Sequence, residues 1–312
     1  MAARELYVLG TASQVPTRYR NHNAYFLRWD GEGILFDPGE GTQRQLTYAG
    51  LSAHAITRIC ITHFHGDHCL GLPGIIQRLS LEACPEVTVY YPASGQRYFD
   101  NLRNASIYAR MEKLVTVPVE GGGILFESDL FQLEAAALDH DVECYGYRIC
   151  ERDQVRIREE SLKPTGVRGK QVGELLRDGT VTAPDGTLVR REDVTELRAG
   201  QSFAFVMDTR RCAGAEKLAA GVDLFVCEST FLSSETELAG IAKHMTARQA
   251  AELARDAGVR RLVLTHFSQR YDDLGAFLDE ARAVHDDVVV AMDPDANDPK
   301  GGRHRIAVPK RV

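Results

Sequence analysis

Nothing in the 312 residues approaches the run of roughly 18 apolar residues that a membrane helix needs, so no helical membrane span is expected. No secretory leader is expected either, since "MAARELYVLG" passes directly into a strand-like run with no charged-then-apolar pattern. There is no internal repeat and no low-complexity tract. Cysteine is sparse and unpatterned: seven residues, at 60, 69, 84, 144, 150, 212 and 227, form an odd set without a C-x-x-C pair. That usage predicts reduced thiols in a cytoplasm rather than a disulfide framework. Positive charge is in deficit, with a formal net charge of −7. Taken alone, the deficit argues weakly against nucleic acid as a partner, because phosphate binding needs positive charge. A local basic patch stays compatible with it.

The composition that is present is ordinary for a globular chain, with 44% apolar and 26% charged residues. The length allows one large domain or two smaller ones. Short β-branched or aromatic runs recur between Gly, Pro and Asp, among them "LYVLG", "GILFDPG", "RICITH", "FAFVMD", "DLFVCEST" and "RLVLTH". Helical patterns lie between some of them. "GLPGIIQRLSLEA" and "GAFLDEARAV" are two. In "TARQAAELARDAG" the third has Thr246 and Gln249 spaced as a capping box and Gly258 as a stop. Mixed strands and helices predict an α/β fold of packed sheets and helices. Residues 151–200 differ, being charged, Gly-punctuated and weakly periodic, and read as an insertion in a single domain spanning 1–312. An ordinary surface excursion is the alternative.

The densest chemistry lies in "CITHFHGDHCLG", where His63, His65, Asp67 and His68 fall within six residues after a strand. A tight loop through Gly66 would gather them. Imidazole and carboxylate together suit zinc or a similar divalent metal. Four such groups exceed what one catalytic metal with an open position requires, so the spacing predicts two metals. His140, Asp208 and His266 are further metal-capable residues at or near strand ends. Singly, such residues are turn formers or solvated histidines; beside the cluster they become candidate ligands.

"HFHGDH" resembles the H-x-H-x-D-H motif of the metallo-β-lactamase superfamily, with His65 at the position where redox members carry an acid. The resemblance implies a four-layer αβ/βα sandwich with two zinc ions. His63, His65 and His140 would hold one ion, Asp67, His68 and His266 the other, and Asp208 would bridge them. Flanking loops narrow the match. "LGTASQVPTRYRN" resembles the P-x-K-x-R-N loop of the ribonuclease Z family, with Pro16, Arg20 and Asn21 matching and Arg18 in the lysine position. "DPGEGTQRQL" is similar to that family too. "VCEST" resembles its H-E-A-T loop, keeping Glu228 and Thr230 with Cys227 in the His position, and "KHMTA" resembles its H-S-T loop. The resemblance is colinear from about residue 5 to 270.

What the resemblance implies is a zinc-dependent endoribonuclease that removes the 3′ trailer of precursor tRNA, leaving a 3′-hydroxyl on the tRNA and a 5′-phosphate on the trailer. Asp67 would act as general base, and His244 would protonate the leaving oxygen with Glu228 fixing its tautomer. The 151–200 insertion would be the family's flexible tRNA-binding arm. Its stretch 161–179 carries a local net charge of +2, and Lys163, Arg168 and Lys170 are candidate phosphate contacts. Arg18, Arg20 and Asn21 would line the RNA channel. The implied assembly is a cytoplasmic homodimer in which one subunit's arm serves the other's site. Two further readings are a small-molecule phosphodiesterase or arylsulfatase-like hydrolase on the same metals, and a non-catalytic tRNA-binding protein.

Overall fold

The computed structural model describes residues 4–295 and 302–311. Two seven-stranded sheets face each other. The first runs in the order Arg305–Ala307, Glu5–Gly10, Ala24–Trp29, Glu32–Phe36, Arg58–Cys60, Val87–Pro92 and Leu114–Val119. The second runs Val288–Val290, Arg261–Thr265, Leu224–Glu228, Ser202–Val206, Tyr145–Glu151, Phe131–Ala137 and Gly123–Glu127.

The strands read as continuous apolar runs because both of their faces are covered. Side chains alternate across a strand. Leu6 and Val8 therefore enter the core between the sheets, while Tyr7 and Leu9 enter the layer outside the first sheet. Phe203 and Phe205 likewise point between the sheets, and Ala204 and Val206 point outward. Aromatic rings join the two sheets at their centre. Phe36 stacks on Phe205 with centroids 4.7 Å apart, and Tyr25 meets Phe205 edge-on at 5.1 Å. Burying a side chain of this size contributes about 1.5–3 kcal/mol.

Helices Thr42–Tyr48, Leu72–Leu81 and Gln96–Arg103 cover the first sheet. Ala213–Ala219, Ala247–Asp256 and Gly275–Arg282 cover the second. The result is the four-layer sandwich. The helix Ala247–Asp256 carries the expected capping box: Thr246 Oγ1 accepts from Gln249 N–H, and Gln249 Oε1 accepts from Thr246 N–H. Three of these helices, Thr42–Tyr48, Gln96–Arg103 and Ala213–Ala219, were not legible in the sequence. Each spans about two turns, too short for its periodicity to separate from a loop.

Residues 151–200 form a compact excursion. Among the described residues, Gln154–Ile157 pairs only with Thr195–Arg198, and Thr180–Thr182 only with Leu188–Arg190. Val167, Leu175, Ala183, Val189 and Val194 make a small core of their own. Among the described residues no helix is long and apolar enough to cross a membrane, and all seven cysteines are free thiols.

Candidate metal centre

Five parallel strands deliver most of the site, and His140 follows a sixth strand, Phe131–Ala137. Glu32–Phe36 and Arg58–Cys60 are parallel neighbours in the first sheet. Ser202–Val206, Leu224–Glu228 and Arg261–Thr265 are parallel neighbours in the second. Their carboxyl ends lie at one edge, where open α/β sheets place their ligands. Asp37, His63, Asp208 and His266 lie just beyond four of these strands, and Glu228 ends the fifth. Residues 66–69 are one helical turn, Gly66–Cys69, rather than the expected loop; His65 caps it and Asp67 and His68 sit on it. Gly39 allows the close approach that this turn requires. A Cβ there would meet the Asp67 carbonyl oxygen at 2.2 Å.

All seven sequence-predicted ligands converge in two groups. His63, His65, His140 and Asp208 present ligand atoms within 4.8 Å of one another, as do Asp67, His68 and His266. Asp208 faces both. Its Oδ2 lies 3.6 Å from His63 Nε2 and 3.8 Å from His140 Nε2. Its Oδ1 lies 3.3 Å from His68 Nε2 and 3.1 Å from His266 Nε2.

The donor set fits divalent cations. His68 Nδ1 is 2.8 Å from Asp37, and His266 Nδ1 is 3.0 Å from the Thr230 hydroxyl. Those partners occupy the outer nitrogens, and the two inner Nε2 atoms approach each other to 3.2 Å. His63 Nε2 and Asp208 Oδ1 are buried without a hydrogen-bond partner. Unpaired buried polar atoms are costly, and cations bound at the two groups would satisfy them.

The electrostatics agree. Burial opposes charge on His68, yet Asp208, Asp67 and Asp37 outweigh it and hold the imidazole well above its ordinary range. The pocket therefore demands positive charge. Burial likewise opposes ionisation of Asp67, but His68 and hydrogen bonds from His266 and His68 hold its carboxyl far below the usual range. Gln14 N–H also donates to Asp67 Oδ2 at 2.8 Å.

Strain concentrates here too. Gln14, Asp37, Asp208, Lys243 and His266 all take left-handed backbone, with φ between 40° and 62°. Such residues cost on the order of 1–3 kcal/mol each and collect at functional sites.

Beside the two groups, Glu228 is fully buried and its Oε1 lies 2.8 Å from His244 Nδ1. Thr209 N–H donates to Oε1 at 2.9 Å, and the Thr230 hydroxyl donates to Oε2 at 2.8 Å. Burial lowers the basicity of His244, but Glu228 reverses this and pushes it up to about 9.

The chain matches the model of the metallo-β-lactamase superfamily over residues 17–149 and that of the β-lactamase superfamily domain over 170–267. It is 52% identical to a ribonuclease Z of Streptomyces avermitilis, with 100% of each chain covered. A ribonuclease Z of Nocardia farcinica is 54% identical, again over 100% of both chains. The chain belongs to the ribonuclease Z family. It is thus a metallo-β-lactamase-fold hydrolase acting as an endoribonuclease. The crystal structure of the short form of human tRNase Z superposes with a TM-score of 0.67 at 25% identity, covering 98% of this chain and 99% of that one.

Against this ribonuclease Z background, the remaining predicted residues divide. Arg18 of the opening loop is exposed. Arg20, expected to face RNA, is instead largely buried, and its guanidinium donates to the Ser268 carbonyl at 3.2 Å. The side chain of Asn21 donates to the Glu40 carbonyl at 2.8 Å, so it pins the loop to the "DPGEG" turn. Lys163, Arg168 and Lys170 are exposed on the arm, away from the two ligand groups in sequence and outside their contacts.

Four contributors escaped sequence reasoning. Asp37 accepts from Thr62 N–H and the Thr62 hydroxyl, both at 2.7 Å, while holding His68. Gln14 supplies its amide to Asp67. Asp293 accepts from the Thr11 hydroxyl at 2.7 Å and from Asn21 N–H at 2.6 Å, anchoring both ends of the opening loop. Lys243 donates to the His140 carbonyl at 3.1 Å. Asp37, Gln14 and Lys243 lie in the runs "DPGEGTQRQL", "LGTASQVPTRYRN" and "KHMTA", but no run shows which distant group its residue meets.

Proposed function

We propose that this chain cuts precursor tRNA at its 3′ side with two zinc ions, leaving a 3′-hydroxyl on the tRNA and a 5′-phosphate on the trailer. The observation that carries the reading is Asp208, which presents one oxygen to each of two ligand groups in a ribonuclease Z family member. His63, His65 and His140 would hold one ion, Asp67, His68 and His266 the other, with Asp208 shared. When bound, paired divalent ions supply Lewis acidity to the phosphoryl oxygens and lower the pKa of water.

The protein's own groups carry the protons. Asp67, held ionised, accepts a proton from the water that attacks phosphorus. Gln14 N–H fixes the orientation of that carboxylate. His244 spends its Nδ1 on Glu228, which leaves Nε2 to protonate the departing 3′ oxygen as the P–O bond breaks. Its raised pKa keeps that proton in place at neutral pH.

Arg18 then meets backbone phosphates from a loop that Arg20, Asn21 and Asp293 hold rigid. The arm, residues 151–200, grips the tRNA away from the scissile bond through Lys163, Arg168 and Lys170. The working protein is a cytoplasmic homodimer in which one subunit's arm serves the other's centre.

The discriminating experiment compares a precursor tRNA with a small phosphodiester, each with intact protein and with the arm replaced by a short linker. Loss of tRNA cleavage with small-diester hydrolysis retained supports the reading. Retained tRNA cleavage by the armless protein would refute the arm's role, and failure of the intact protein to cut precursor tRNA would refute the substrate.

A further inference from the structure

Outside the centre, three side chains of metal-binding chemistry meet on the helical layer of the first sheet. His54 lies in the turn Ala53–Ala55, and Glu82 and Cys84 follow the helix Leu72–Leu81. A ligand atom from each lies within 4.8 Å of the other two. His54 Nδ1 is 3.3 Å from Glu82 Oε2. The other carboxylate oxygen, Oε1, accepts from Arg78 Nε at 2.8 Å. Arg78 thus does what outer partners of metal-binding carboxylates do: it fixes the group and turns its free oxygen toward the remaining donors. Ser52 Oγ accepts from His54 N–H at 3.2 Å and fixes the turn that carries the imidazole. Cys84 is a free thiol and is 5% exposed, so a cation entering beside it is shielded on one side and reached from solvent on the His54 side.

We propose that His54, Glu82 and Cys84 form a second metal site, separate from the catalytic pair, for a thiophilic divalent cation of the zinc class. One nitrogen, one oxygen and one sulfur donor with water in the fourth position make an ordinary tetrahedral zinc set. Binding forms a metal–sulfur bond and releases the Cys84 thiol proton to solvent, with no oxidant or reductant involved.

The location gives the site a consequence. Residues 54 and 84 bracket the whole excursion that runs through the strand Arg58–Cys60, the ligand-bearing segment 63–68 and the helix Leu72–Leu81. A clip across its ends removes loop-closure entropy from the unfolded chain. It would thereby stabilise the one segment that supplies four of the seven proposed catalytic ligands. A plain surface ion pair between His54 and Glu82, with Cys84 serving only to pack the apolar layer, is the competing explanation.

Cadmium is the probe, read on the full chain by its ultraviolet thiolate-to-metal charge-transfer band. The band is expected to reach the amplitude of one cadmium–thiolate bond per chain, to persist in Asp208→Ala, and to vanish in Cys84→Ser. His54→Ala and Glu82→Gln should each weaken cadmium binding about tenfold or more, and Arg78→Ala by about tenfold. Cadmium should also raise the melting temperature of Asp208→Ala but not of its double variant with His54→Ala. A band unchanged in Cys84→Ser would overturn the proposal by assigning the signal to another thiol. Affinity within twofold of the parent in both His54→Ala and Glu82→Gln would overturn it as well, leaving a lone adventitious cysteine. His54 is half-exposed, so its variant keeps the test sound even if Cys84→Ser folds poorly.

Discussion

At the meeting edge of the two sheets, Asp37, Asp67, Asp208 and Glu228 are all 6% exposed or less, whereas Lys163, Arg168 and Lys170 of the arm stand in solvent. Both regions are rich in charge and use it in opposite ways. At the edge, Asp37, Asp67 and Glu228 are held by named donors and Asp208 lies among four histidines, so charge is concentrated, desolvated and directional. On the arm, charge sits on long side chains over a core of only five buried residues, and its pairings are loose, as in the 3.8 Å contact of Lys163 with Glu159. Exposed pairs of that kind contribute roughly 0–1 kcal/mol. The edge holds its charge at fixed points, and the proposed role of the arm, sequence-independent attraction to a backbone, needs only exposed charge.

The comparison breaks most sharply at Asp208. Asp208→Ala removes the one carboxylate common to both ligand groups, and cleavage should fall on the order of 10³-fold, several kcal/mol of lost charge stabilisation. Metal content measured on the purified variant should fall with it, while arm-dependent tRNA binding stays. Next comes Asp37, which is fully buried behind His68. Asp37→Ala frees His68 Nδ1 and should lower metal affinity or activity about 10–100-fold, seen by titrating metal into the depleted enzyme.

Neutralising Lys163, Arg168 and Lys170 together should weaken precursor binding about tenfold at low salt. It should also flatten the log Kd against log salt slope by about 2–3. Hydrolysis of a small phosphodiester should not change. An equal fall on both substrates would erase the distinction drawn between arm and edge.

The smallest effect concerns Asp293, which clamps the opening loop. Burial pushes its carboxyl up to about 7 despite the bonds from Asn21 and Thr11. A carboxyl whose folded pKa exceeds its unfolded value of roughly 3.9 stabilises the fold most when protonated. That contribution is complete below about pH 4 and is lost as pH rises through about 7. Denaturant titrations at pH 5 and pH 8 should therefore show the parent losing stability on going to pH 8. Asp293→Asn, whose amide is neutral throughout, should lose less over the same interval.

How much of this was legible follows from how local each signal is. The capping box at Thr246 and Gln249 spans three residues and needs no partner element, so the sequence exposes it directly. "HFHGDH" is equally local. The Asp208 and His266 positions were readable because strand ends carry a recognisable pattern, and the cluster gave them a reason to converge. Arg20 shows the opposite case. Its loop reads as cationic and solvent-facing, yet the guanidinium turns inward to the Ser268 carbonyl, 248 residues away in the chain. The contacts of Gln14, Asp293 and Lys243 were silent for the same reason, since their partners lie on distant segments.

Sequence alone determined the ligand types, the helix caps, the four family-like loops and the alternation that lets one strand feed two apolar layers. Those properties depend on residue chemistry and on spacings of a few residues. Only the tertiary structure decided which oxygen of Asp208 faces which histidines, that Asp37 holds His68, and that the opening loop is clamped by Asp293. Each of those is a hydrogen bond or close approach between segments tens to hundreds of residues apart. No periodicity encodes such contacts; they exist because two sheets pack face to face and bring their strand ends to one edge.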